Sequence, residues 1–201
     1  MFTVFLVDDE PAVVKAMSRL LRARGYDVRA YTSPQDFLAN HDDAVPGCAI
    51  FDVSMPGLDG LELQEAMTSA GGARPVIFMT GKGDIPTSVR AMRAGAIDFL
   101  TKPASDRDIF GALARAEQQD HAARQVRAEK AAIAAKIATL TPREHEVLAL
   151  VVAGRLNKQI AADLGTVEKT IKVHRSRVMA KLGVRTVADL VRMVGKVSSS
   201  P

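Results

Sequence analysis

Short apolar runs alternate with amphipathic stretches over the first hundred residues of this chain. Residues 3–7, 28–31, 48–52, 76–80 and 98–101 read as strands, and several are almost continuously apolar, as strands covered on both faces require. Helical patterns lie between them. Residues 11–24 carry Val13, Val14, Met17, Leu20 and Leu21 as one stripe, and a further helix is expected to follow Pro86 and end near Gly95. Five such repeats in about 115 residues predict a doubly wound α/β domain with a five-stranded parallel sheet.

The pattern then changes. From Ala112 to Thr141 there is no Gly or Pro and alanine is abundant, which predicts a continuous helix rather than a loose tether. Val126, Ile133, Ile137 and Leu140 fall on one face of it, and two uses of that stripe stay open: packing on a neighbouring domain, or a dimer seam. The last sixty residues show no alternating strand pattern. Four helices are expected there, over residues 142–153, 158–164, 168–182 and 187–194, before a frayed tail. Thr141-Pro142 followed by Glu144 has the form of a capped helix start. Short helices joined by three- or four-residue turns give a small all-α helix-turn-helix domain.

Apolar residues make up 47% of the chain and charged residues 25%, so a packed core is expected and global disorder is not. No apolar run approaches the roughly 20 residues that span a bilayer, and the opening residues turn acidic at once, unlike a secretory signal. A single cysteine, Cys48, excludes an intrachain disulfide and a multi-thiolate metal site. Together these features predict a cytoplasmic protein that does not engage a membrane. Charge divides the chain more sharply than composition does: the net balance is −3 over residues 1–104, +1 over 105–140 and +6 over 141–201. The basic end is the part suited to a polyanion.

In an open parallel sheet, sites form at the carboxyl ends of the strands. Asp8 and Asp9 follow the first strand, Asp52 ends the third, Thr80 the fourth, and Lys102 follows the fifth. Three carboxylates on one rim would repel without a counter-charge, so a hard dication is expected among them, and oxygen-only ligands suit Mg²⁺. A carboxylate can attack a phosphoryl group while metal and ammonium offset charge on the transferring oxygens. A phosphatase of the haloacid dehalogenase class shares that chemistry but needs an Asp-x-Asp pair after the first strand. Here the two acids are adjacent and the nucleophile candidate lies on the third strand.

The runs LVDDE, IFDVSMPGLDG, IFMTGKGD and GAIDFLTKP resemble the receiver domain of bacterial two-component response regulators. That resemblance implies Asp52 as phosphoacceptor, Asp9 as direct Mg²⁺ ligand, Asp8 as a ligand acting more through water, and the backbone carbonyl of Ser54 as a further ligand. Thr80 and Lys102 match the hydroxyl and ammonium that sense the phosphoryl group, and Phe99 the switch aromatic. It also implies a cis bond at Lys102-Pro103. Ala104 departs from the pattern, in which a larger apolar residue often follows Lys-Pro.

The segment LTPREHEVLALVVAGRLNKQIAADLGTVEKTIKVHRSRVMAKLGVRT resembles the helix-turn-helix output domain of the LuxR type, and with the receiver the chain looks like the NarL/FixJ group. The implied division is a receiver over residues 1–118, a helical linker over 119–137 and the DNA-binding domain over 138–201. Residues 169–181 carry Lys169, Lys172, Arg175, Arg177 and Lys181, with Ile171, Val178 and Leu182 free to face inward, as a major-groove helix requires. By resemblance Lys172, Val173 and Ser176 face base edges, while Lys169, Thr170, His174, Arg177, Asn157 and Lys158 reach phosphates. Val167 stands where similar domains often carry a capping Ser, a loss of about 1 kcal/mol that Thr166 could replace.

The implied function is that of a transcription factor, not an enzyme beyond its own phosphoryl transfer and slow self-dephosphorylation. A sensor histidine kinase phosphorylates Asp52; Thr80 moves inward, Phe99 rotates, and the altered surface controls dimerisation and binding of promoter DNA. The alternative is a signalling module whose helical domain binds protein, and the salt dependence of binding separates the two.

Overall fold

Successive side chains of a strand point to opposite faces of a sheet, so a strand buried on both sides divides its apolar residues between two cores. The structure, a computed structural model, describes residues 2–81 and 85–198 and shows that division. Strands β1 (Thr3–Val7), β2 (Asp27–Tyr31), β3 (Gly47–Asp52), β4 (Val76–Thr80) and β5 (Asp98–Thr101) form one parallel sheet in the order β2-β1-β3-β4-β5. On one face Val4, Leu6, Cys48, Ile50, Ile77 and Met79 pack against helix α1 (Pro11–Ala23) and the first turns of α5 (Asp106–Ala138). On the other, Phe5, Val7, Ala49, Phe51, Val76 and Phe78 meet α2 (Pro34–Asn40), α3 (Gly60–Ser69) and α4 (Ile85–Arg93).

The strand order reverses between β1 and β3, which sets a crevice at their carboxyl ends. β2 and β3 each begin one residue before the expected position, because ladder pairing with Thr3 rather than side-chain type sets the boundary. A Cβ at Gly47 would lie 2.1 Å from Thr3 O, so this start requires glycine. Lys82, Gly83 and Asp84, the end of the IFMTGKGD run, lie outside the described residues, as do the final three residues of the expected tail.

The predicted linker helix belongs to one 33-residue helix, α5. By packing, the chain divides within it into two compact units, Met1–Ala123 and Arg124–Pro201. In the second, α6 (Pro142–Val152), α7 (Asn157–Asp163), α8 (Glu168–Leu182) and α9 (Val187–Ser198) enclose a core of Leu140, Val147, Val151, Ile160, Ile171, Val178, Leu182 and Leu190. α9 runs four residues beyond its expected end. Ile137 and Leu140 of the linker stripe pack into this core and Ile133 is buried, whereas Val126 is 52% exposed. The Thr141–Glu144 capping box opens α6 as its sequence predicts. Gly165 (φ 63°) makes the left-handed turn between α7 and α8. Val167 stands at the N-cap of α8 and supplies no side-chain cap. Among the described residues no helix is long and apolar enough to cross a membrane.

Candidate functional site

At the crevice, β1 delivers Asp8 and β3 delivers Asp52, both nearly fully buried. Lys102, reached from β5 across the sheet, places its Nζ 2.6 Å from Asp8 Oδ2 and 2.6 Å from Asp52 Oδ1. Burial opposes the charged ammonium, but hydrogen bonds to Asp52 and Asp8 more than compensate and hold its pKa above the usual lysine value. The remaining carboxylate oxygens take backbone donors: Glu10 N–H to Asp8 Oδ1 at 2.9 Å, and Ser54 N–H to Asp52 Oδ2 at 2.7 Å. Each carboxylate is thereby fixed in orientation as well as charge.

Asp9 sits at the half-exposed rim, and its carboxylate makes no hydrogen bond or ion pair with a described residue. No three His, Cys, Asp or Glu side chains close into a metal-binding group among the described residues; the counter-charge between Asp8 and Asp52 is Lys102. The donors nonetheless suit Mg²⁺: they are oxygen only, with three carboxylates against one ammonium, and an uncommitted carboxylate stands beside two buried ones.

β4 ties the neighbouring loops to this rim. Its carbonyls Met79 O and Thr80 O accept from Val53 N–H at 2.9 Å and Lys102 N–H at 2.7 Å. Thr80 itself is fully buried. Phe99 is half-buried, its ring centroid 6.4 Å from that of Phe78. The Lys102-Pro103 bond is cis. One further residue, Gly60, has a positioning role set by the tertiary structure. A Cβ at Gly60 would lie 2.3 Å from Asp52 O, so the first residue of α3 must be glycine for the helix to approach the Asp52 backbone. Gly60 closes the IFDVSMPGLDG run, but nothing local in that run marks which backbone the glycine must approach.

In the second unit, Lys169, Lys172, Val173 and Ser176 lie on the outer face of α8, opposite Ile171, Val178 and Leu182, and Lys158 and Arg177 are also exposed. Lys172 pairs with Glu168 across one turn at 3.1 Å, a solvated and therefore weak contact. Thr170 and His174 are partly buried, and His174 turns Nδ1 inward without a partner, which leaves Nε2 for an external contact. Two of the five expected cations are committed within the fold. Arg175 donates to Asn157 Oδ1 at 2.9 Å, joining α8 to α7, and Lys181 donates to Glu144 Oε2 at 2.6 Å. Arg185, beyond the end of α8 and unassigned by sequence, lines a shallow groove with Asn157, Lys172 and Ser176.

Two protein families match the chain. Residues 4–114 match the response regulator receiver domain, and residues 138–194 match the bacterial regulatory proteins of the luxR family. Nodulation protein W of Bradyrhizobium diazoefficiens is 40% identical, covering 94% of this chain and 84% of its own. Response regulator protein TmoT of Ectopseudomonas mendocina is 41% identical over 98% of this chain and 90% of its own. The structure of the response regulator StyR superposes with a TM-score of 0.83 at 42% identity, covering 96% of this chain and 98% of that one.

Proposed function

This chain belongs to the NarL/FixJ group of two-component response regulators, which join a receiver domain to a LuxR-type DNA-binding domain, and we propose that Asp52 is the residue through which its transcriptional output is switched. The observation that carries the assignment is the Lys102 ammonium held 2.6 Å from both Asp8 and Asp52 at the point where the strand order reverses. A carboxylate oxygen of Asp52 attacks the phosphorus of a kinase phosphohistidine. The P–N bond breaks, and the imidazole leaves with the electron pair and takes up a proton. Lys102 then exchanges one carboxylate partner for a phosphoryl oxygen, Thr80 donates its hydroxyl to another, and Phe99 follows into the space Thr80 vacates. Asp8, Asp9, Asp52 and the Ser54 carbonyl would hold Mg²⁺, which supplies neutralisation of phosphoryl charge when bound. Beyond this transfer and its slow hydrolysis the protein carries no catalytic activity.

The downstream step is dimerisation, which sets two copies of α8 on two half-sites of promoter DNA in the cytoplasm. Lys172, Val173 and Ser176 meet base edges; Lys158, Lys169, Thr170, His174, Arg177 and Asn157 meet phosphates, with Arg175 fixing the Asn157 amide. Working domain limits of 1–118, 119–137 and 138–201 go with this division of labour.

Acetyl phosphate with Mg²⁺ should add one phosphoryl mass to the wild-type protein and none to Asp52→Asn, read by intact mass spectrometry. Equal labelling of the variant would move the acceptor elsewhere.

A further inference from the structure

Two helices of the second unit end close together. α5 finishes at Ala138 and α8 at Leu182. A helix C-terminus carries the equivalent of roughly half a negative charge on carbonyls that lack intrahelical partners. Two such ends repel unless cations lie between them, and here each helix supplies one to the other. Lys136, in the last turn of α5, holds its Nζ 3.5 Å from Leu182 O. That is long for a hydrogen bond but well placed for an ammonium facing the end of a helix dipole. Its Nζ also lies 3.7 Å from where a Cβ on Gly183 would stand, an ordinary contact distance, so the ammonium sits beside the left-handed glycine that ends α8. Lys181, in the last turn of α8, donates to Thr139 O just beyond α5 at 3.1 Å and to Glu144 Oε2 at 2.6 Å. Nearby, Glu129 of α5 pairs with Lys196 of α9 at 2.5 Å. Residues 115–137 fall within neither matched family.

We propose that Lys136 of the linker helix is a positioning residue for DNA recognition: with Lys181 it clamps the C-terminal end of α8 to the end of α5. The inference rests on the reading of α8 as the helix that meets DNA. It makes the last turns of the linker helix a working part of the output unit rather than a spacer. Lys136 touches no base; it restricts how far the end of α8 rocks on the core, and so sharpens the geometry that base contacts need more than phosphate contacts do.

Lys136 is the informative position because it is exposed, whereas removing Lys181 would strand the buried Glu144 carboxylate. The test uses the full-length chain and two probes: a duplex enriched from random sequence by the wild-type protein, and a mixed-sequence duplex at the same salt. Lys136→Met keeps the apolar stem and loses the ammonium. It should weaken binding to the enriched duplex roughly three- to tenfold and leave the mixed duplex and the thermal midpoint nearly unchanged. Amide exchange should quicken at Gly183 and Val184, which donate to Ala180 O and Met179 O. Lys136→Arg should restore the affinity ratio. An unchanged ratio in Lys136→Met overturns the clamp, whatever exchange does. Equal losses on both duplexes with a salt slope lower by about one unit would make Lys136 a phosphate contact and overturn it too. Failure of the wild type to enrich any duplex would overturn the reading of α8 itself, and this proposal with it.

Discussion

Buried carboxylates in the two units meet lysines in different ways. Asp8 and Asp52 share one ammonium, so either can gain a new partner without stranding a charge. Glu144 pairs with Lys181, which also donates to the Thr139 carbonyl, and accepts the Thr141 N–H at 2.8 Å. The Lys181 hydrogen bond, followed by the Thr141 backbone, holds the Glu144 carboxyl down at about 2, against an ordinary 4.5. A carboxyl with a depressed folded-state pKa adds stability above its unfolded pKa, and that stability drains away as pH falls through the folded value. The helical unit should therefore lose stability between about pH 4.5 and about pH 2. Glu144→Gln should flatten that part of the profile, measured by helical circular dichroism in denaturant titrations at several pH values. An identical profile in the variant would remove Glu144 from the acid response.

Helix α8 starts without a side-chain cap and ends against two lysine ammoniums. Val167 is 64% exposed and offers no cap, so replacing it gives up little apolar burial. Val167→Ser should stabilise the protein by about 1 kcal/mol by satisfying an orphan N–H of the first turn. A shift in the chemical-denaturation midpoint at constant slope is the measurement, and no shift would mean that water already serves those donors. The outer face of the same helix makes a separable prediction about contacts. Lys169→Ala or Arg177→Ala should weaken binding to all duplexes alike and lower the salt slope by about one unit. Lys172→Ala should cost about 1–3 kcal/mol on the enriched duplex and much less on mixed sequence. Equal losses for Lys172→Ala would rotate α8 in the groove.

At the scale of the whole molecule, charge and packing divide the chain differently. Net charge changes sign along the chain, from −3 over residues 1–104 to +6 over 141–201, and separates the receiver part from the basic luxR-type part. Packing divides it inside α5, after Ala123, where no change of composition marks the place. The sequence alone determined the five strands, the helical end and the rim of Asp8, Asp9, Asp52, Thr80 and Lys102, because strand burial, helix periodicity and strand-end chemistry are local properties written in order along the chain. Thr141, Pro142 and Glu144 likewise announce their helix start, since a capping box needs only residues three apart. Tertiary structure alone decided that Lys102 stands between two carboxylates 94 and 50 residues away, that Gly60 leaves room for the Asp52 backbone, that Arg175 and Lys181 are bound within the fold, and that Lys136 faces the end of α8. The physical reason is the same in each case. A lysine or glycine has no local signature for its partner, because that partner is a carboxylate, a carbonyl or a helix end brought near only when distant segments pack.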